Sequence, residues 1–232
     1  MFSSIIERIK DVFGNTLYYP GCLTRFAAPE IEENYKSILT DIGIGFITIP
    51  EFNCCGSPVI NAGYLNDFNG LVKKNSELFK KYGVKKIITN CPSCYRVFKE
   101  NYRLNVEHIS QTLYRNLSKL EPTWSGESVC YHDPCHLGRH SGIYNEPRKV
   151  LEAIGLKVVE MQSSKDKAIC CGGGGGLRTN NPSLAKKIAQ NRVMQCKEKM
   201  LVTTCCLCYN QLKDVAPEGL KVYEFSELLV KR

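Results

Sequence analysis

Residues 82–95, YGVKKIITNCPSCY, and residues 198–212, EKMLVTTCCLCYNQL, read as one unit written twice: a short apolar run, then a C-x-x-C pair. Runs such as Lys86–Thr89 and Ile44–Ile49 have the continuous apolar character of strands buried on both faces of a parallel sheet. Working outward, LYYPGC (17–22) matches VCYHDPC (129–135), FNCCGSP (52–58) matches AICCGGG (168–174), and NVEHISQTLYRNL (105–117) matches KVYEFSELLVKR (221–232). Segments such as Glu30–Leu39 and Leu184–Met194 have helical spacing, and Gly43 and Gly155 follow helices as C-terminal caps. Each half reads strand, helix, strand, helix, strand, helix, short strand, helix. Such alternation predicts an α/β fold with two tandem, similar Rossmann-like domains, each with a parallel sheet and related by a pseudo-twofold. The domains are expected at 16–120 and 121–232, joined through Lys119–Glu127, where Pro122, Ser125 and Gly126 interrupt the pattern. Residues 1–15 stand ahead of the repeat as an amphipathic helix, with Phe2, Ile5, Ile6, Ile9, Val12 and Phe13 on one face. Such a helix packs on its own domain or docks a partner.

The chain has 232 residues, a formal charge of +8, and 43% hydrophobic and 23% charged residues, ordinary values for a globular protein. No apolar run approaches the roughly 20 residues needed to span a bilayer. The N-terminus lacks the order of a secretory signal. A cytoplasmic location follows, peripheral to a membrane only through a partner. There thiols stay reduced, so thirteen cysteines favour metal over disulfides. Thiolates bound to metal offset the positive charge, which argues against nucleic acid as a partner.

Ten of those cysteines fall into two matched sets. The first is Cys22, Cys54, Cys55, Cys91 and Cys94; the second is Cys135, Cys170, Cys171, Cys205 and Cys208. Each member or pair follows a predicted strand, and ligands of open α/β sheets gather outside the carboxyl ends of the strands. Soft thiolates select zinc, copper(I) or iron–sulfur clusters. Zinc takes four ligands and an ordinary cubane cluster four cysteines, whereas each half offers five. Adjacent cysteines suit a larger cluster better than one tetrahedral ion.

These motifs resemble the CCG domain, the cysteine-rich module of the B subunit of heterodisulfide reductase and its relatives, over roughly residues 17–232. The second half, with YHDPCHLGRHSGIYNEPRKVLEAIG and ICCGGGGGLR, is similar to the branch formed by the D subunit of that enzyme, which includes lactate and glycolate oxidase iron–sulfur subunits. The resemblance implies two noncubane [4Fe-4S] clusters, one on each cysteine set, with zinc in one domain left open. It implies a catalytic oxidoreductase subunit that cleaves a small-molecule disulfide reductively, or runs the reverse, at Cys54, Cys55, Cys170 and Cys171. The sequence has no C-x-x-C-x-x-C-x-x-x-C run. Electrons are therefore expected from a ferredoxin-like iron–sulfur partner, similar to the C subunit of heterodisulfide reductase, with a flavoprotein or membrane cytochrome subunit feeding it. Two alternatives stand beside this reading: an electron-transfer subunit of a hydroxyacid or quinone-linked dehydrogenase, and a zinc-bound scaffold.

Gly56, Gly172 and Gly173 are expected where backbone approaches a cluster and N–H groups reach sulfur. Gly172–Gly176 lacks the Lys-Ser/Thr of a phosphate loop. His136, flanking Cys135 with His132 and His140, is the candidate proton carrier, and Asp133 the residue to test beside it. Arg139 and Arg178 are candidates for drawing in an anionic substrate. Cys206 reads as a bystander inside the last C-x-x-C, and Cys130 and Cys196 as buried small hydrophobes in a strand and a helix.

Overall fold

The structure, a computed structural model, describes residues 14–51 and 53–230. The proposed helix over residues 1–15 lies almost wholly outside them.

In the first half, β1 (Asn15–Tyr19) leads into α1 (Cys22–Ala27) and α2 (Pro29–Asp41). Then come α3 (Ser57–Asn61), α4 (Leu65–Lys81), β2 (Val84–Thr89), α5 (Pro92–Asn101), β3 (Asn105–His108) and α6 (Ile109–Tyr114). The second half repeats the plan with β4 (Ser128–His132), α7 (Asn145–Ala153), β5 (Lys157–Val159), α8 (Leu177–Asn180) and α9 (Pro182–Val193). It closes with β6 (Met200–Thr203), α10 (Cys206–Lys213), β7 (Lys221–Glu224) and a 3₁₀ turn at Phe225–Leu228. Every strand pairing is parallel, in the orders β1-β2-β3 and β5-β4-β6-β7.

The first sheet lacks the counterpart of β5 as a full strand. Ile44–Ile49 makes one parallel bridge, Ile47 to Leu17, rather than the buried strand its composition suggests. Ile47 N–H donates to Thr16 O at 2.8 Å, its carbonyl accepts from Tyr18 N–H at 3.0 Å, and pairing goes no further. Pro50, with no N–H to give, closes the segment. With this bridge counted, the two sheets share one order.

The halves are interleaved. Helix α2 packs on the closing 3₁₀ turn of the second half, and α6 packs on α7. Tyr18, Ile31, Tyr35, Leu39, Ile109 and Leu113 of the first half share a core with Val129, Val150, Leu151, Val202 and Phe225 of the second. In return, Leu137 and Ile143 enter the core built on Phe79, Ile87 and Phe98. This reciprocity is the signature of a pseudo-twofold. The connection at 119–127 is tied down: Lys119 Nζ donates to Ile42 O at 2.7 Å and Trp124 Nε1 to Leu228 O at 3.0 Å.

One polar bond is sealed inside this interface. Tyr35 Oη donates to Glu224 Oε1 at 2.7 Å, and Ser226 N donates to Glu224 Oε2 at 2.7 Å. Burial lifts the Glu224 carboxyl to about 7. The native chain therefore holds a proton there over a pH range where the unfolded chain has released it. The stability this group contributes is complete below the ordinary carboxylate range and declines as pH rises toward 7. Tyr35→Phe should cost about 1–3 kcal/mol in chemical denaturation, because a buried acceptor loses its donor. Glu224→Gln should flatten the pH dependence of that stability between about pH 4.5 and 7.

Candidate metal centres

Both cysteine sets come together. In the first half the thiols form a continuous chain of contacts, Cys22 to Cys54, Cys54 to Cys55, Cys55 to Cys94 and Cys94 to Cys91. The second half repeats it link for link: Cys135, Cys170, Cys171, Cys208, Cys205. Cys171 Sγ lies 3.2 Å from Cys208 Sγ. Each chain begins at a partly or fully exposed thiol. Cys22 is exposed and Cys135 half-buried, while Cys55, Cys94, Cys171 and Cys208 are buried.

The fold explains the convergence. Strands β1 and β2 end at Tyr19 and Thr89, paired with each other, and Cys22 and Cys91 follow. Strands β4 and β6 end at His132 and Thr203, also paired, with Cys135 and Cys205 behind them. Cys91 and Cys205 are the N-caps of α5 and α10, where the helix dipole favours a thiolate. The C-x-x-C spacing places Cys94 and Cys208 one turn along, on the same face.

Electrostatics follow from the crowding. The bond between Cys22 and Cys54 holds the Cys54 thiol far below its ordinary range and pushes Cys22 up. Cys135 and Cys170 show the same split. Donation from Cys94 lowers Cys91, while Cys94, bonded to Cys55, is driven up. Five thiols this close cannot all ionise without a counter-charge. A multinuclear cation cluster supplies one, and the five-donor set fits it.

Backbone N–H groups reach the same sulfurs. Gly56 N donates to Cys54 Sγ, Gly172 N to Cys170 Sγ and Gly173 N to Cys171 Sγ, each at 3.4 Å. The reason only glycine fits differs from the expectation. Gly56 has φ +92°, and a Cβ there would meet Phe68 at 2.6 Å. Gly172 has φ +78°, and its Cβ would lie 2.9 Å from Ala185 O of α9. Helix packing and backbone conformation exclude the side chain, not the centre itself. Gly21, with φ +82°, is the glycine whose Cβ would face thiols: Cys91 Cβ at 3.0 Å and Cys94 Sγ at 3.4 Å. Its place just before Cys22 is the signal in the sequence that marks it.

The other candidates divide. His136 is half-buried beside Cys135, its Nδ1 has no partner among the described residues, and its ring lies 5.2 Å from that of His140. Asp133 is already occupied by a bidentate pair with Arg148 at 2.8 and 2.9 Å and by Lys165 N at 2.8 Å, a structural clamp. Arg139 donates to Ala168 O at 2.8 Å and Arg178 to Asp214 at 2.6 Å, so both guanidinium groups have partners. Cys206 reaches Thr24 of the first half, with Cys91 also near, and so sits between the two centres. Cys196 lies beyond the end of α9 rather than in a helix, and contacts Cys130 as a separate thiol pair. The sequence favours His136 over His132, yet His132 is the histidine that reaches the thiols. It is fully buried, and a ring nitrogen lies within 4.8 Å of both Cys171 Sγ and Cys208 Sγ.

Against known proteins, the cysteine-rich domain family CCG matches residues 16–99 and again 129–213. The chain belongs to this family. The D subunit of the dihydromethanophenazine:CoB--CoM heterodisulfide reductase of Methanosarcina acetivorans is 34% identical over 219 residues, covering 86% of this chain and 54% of that protein. EtfAB:quinone oxidoreductase of Syntrophomonas wolfei is 33% identical, covering 93% of this chain and 34% of its own length. The B subunit of the fumarate reductase (CoM/CoB) of Methanothermobacter marburgensis is 33% identical, covering 91% and 45%. The chain thus spans about half, or less, of the length of these relatives. Among the described residues, no helix is long and apolar enough to cross a membrane.

The glycine geometry gives a direct test. Gly172→Ala should lower stability by about 1–3 kcal/mol, the cost of forcing a side chain into a left-handed backbone. Gly174→Ala, whose Cβ would meet only Leu207 at 3.8 Å, should be close to neutral when both are measured by chemical denaturation.

Proposed function

We propose that this chain is an iron–sulfur oxidoreductase subunit that cleaves a small-molecule disulfide reductively, or forms one in reverse. The observation that carries this is the five-thiol chain with its adjacent Cys-Cys pair, present twice in a CCG-family fold. Two noncubane [4Fe-4S] clusters would be held by Cys22, Cys54, Cys55, Cys91 and Cys94, and by Cys135, Cys170, Cys171, Cys205 and Cys208. When bound, the clusters supply one-electron redox chemistry. The reaction takes two electrons and two protons per disulfide and releases two thiols.

The chain's own residues account for the remaining needs. The paired cysteines Cys54–Cys55 and Cys170–Cys171 lie midway along each thiol chain, where substrate chemistry is assigned. The N–H groups of Gly56, Gly172 and Gly173 stabilise thiolate charge. His136, half-buried next to Cys135 and with no partner at Nδ1 among the described residues, would pass the proton. Electrons come from a ferredoxin-like iron–sulfur partner, in turn fed by a flavoprotein or a membrane cytochrome subunit. Two of the relatives carry CoB and CoM in their names, which supports a thiol–disulfide pair as substrate class. Likeness to EtfAB:quinone oxidoreductase favours a second reading, in which the clusters only relay electrons toward a quinone.

Anaerobically purified protein should contain about eight iron atoms per chain, the sum of two four-iron clusters. Cys54→Ala and Cys171→Ala should each remove one electron paramagnetic resonance signal and roughly half the iron, sparing the other signal. Zinc without iron or acid-labile sulfide would defeat the proposal. Turnover of a disulfide by the loaded protein with a chemical reductant separates the first reading from the relay.

A further inference from the structure

We propose that His132 is a fixed N–H donor to the sulfurs of the second centre, and that it raises that centre's reduction potential. The second clause rests on the iron–sulfur reading above; the first does not. His132 is the last residue of β4, fully buried, with a ring nitrogen within 4.8 Å of both Cys171 Sγ and Cys208 Sγ. Such a grouping invites the view that it is a metal ligand. Arg192 excludes this. Its Nε, which can only donate, gives its hydrogen to His132 Nδ1 at 2.9 Å. Nδ1 is therefore the lone-pair side of the ring. That rules out an imidazolium, which has no lone pair at either nitrogen, and leaves the proton of the neutral ring on Nε2. A protonated Nε2 cannot bind a metal. It is a donor whose hydrogen bond is unmade among the described residues, the cysteine sulfurs included, and sulfur of the occupied centre is the acceptor we assign to it.

Arg192 is itself locked in place. Nη1 donates to Ser163 O at 2.7 Å and to Gln195 Oε1 at 2.8 Å. The guanidinium is fully buried, and the nearby Asp133 carboxylate acts on it only at a distance, being paired with Arg148. A buried cation with no direct counter-ion is costly. Anionic thiolates beyond His132 supply the missing charge, through the imidazole. The orphaned donor and the guanidinium without a direct ion pair thus point to one anionic group at Cys171 and Cys208. An N–H bond to such sulfur favours the more negative, reduced state, which raises the potential.

At the equivalent position of β1 the first centre has Tyr19, whose hydroxyl donates to Asn53 O at 2.6 Å. The two centres therefore have different neighbours at the same point.

The test uses the anaerobic holoprotein labelled with ¹⁵N-histidine, its second-centre signal identified as the one lost in Cys171→Ala. Pulsed paramagnetic resonance should show a weak ¹⁵N coupling, as for a hydrogen-bonded ring. A strong coupling of a direct ligand would overturn the proposal. In redox titration His132→Leu should shift the second-centre signal to lower potential, with iron content and the first signal unchanged. His132→Gln, whose amide can donate over a similar reach, should recover part of the shift. Retained iron with no shift in His132→Leu, or loss of the second centre's iron in both variants, overturns it. If the protein carries no iron, the iron–sulfur reading has failed on its own. Long-range ¹H–¹⁵N NMR of that diamagnetic protein then decides the donor: a protonated Nε2 upholds it and a protonated Nδ1 refutes it.

Discussion

Mutual repulsion among five sulfur atoms is the constraint around which each half is organised. Packed as they are, the thiols can ionise only in part, and the bonds linking Cys22 to Cys54 and Cys135 to Cys170 push one thiol of each pair down and the other up. Burial opposes ionisation, and the local backbone works against that penalty. The N-termini of α5 and α10 point at Cys91 and Cys205, and glycine N–H groups face Cys54, Cys170 and Cys171. Each contributes partial positive charge where thiolates must form. A scaffold built this way is prepared for cations and has no use for five neutral thiols.

The parallel sheets supply the geometry. Strand ends paired in register, Tyr19 with Thr89 and His132 with Thr203, fix the separation of the loops that carry the cysteines. The interleaving of the halves then fixes one centre relative to the other. Segment 135–143, which starts at a thiol of the second centre, drives Leu137 and Ile143 into the first half's core. Cys206, next to Cys205, reaches across to Thr24. The elements that carry one centre thus pack directly on those that carry the other.

Much of this was legible in the chain. The repeat of cysteine spacing, the apolar runs before each cysteine and the helical periodicity of Glu30–Leu39 and Leu184–Met194 decide the parallel α/β plan by themselves. Ile44–Ile49 misled because its apolar side chains are mostly half-buried: Phe46 packs edge-on to Tyr18 while the backbone leaves the sheet after a single bridge. Gly172 was legible as a special position but not for its true cause, since the helix that excludes its Cβ approaches from residues 185–188. His132 was hidden for a related reason. Its role comes from Arg192, sixty residues later, and no local pattern links an arginine on a helix to a histidine at a strand end. Asp133 illustrates the converse: proximity to a cysteine suggested chemistry, and a long-range pairing with Arg148 shows a clamp.

The swapped packing of α2, α6 and α7 carries a historical consequence. Two identical copies of one half would make these same contacts across a homodimer axis, and every change near one site would then appear at both. Joining the copies in a single chain breaks that obligation. Proline at 92 against cysteine at 206, and tyrosine at 19 against histidine at 132, are differences a symmetric dimer cannot hold. A single chain with two copies of the family domain is free to make its two sites unlike.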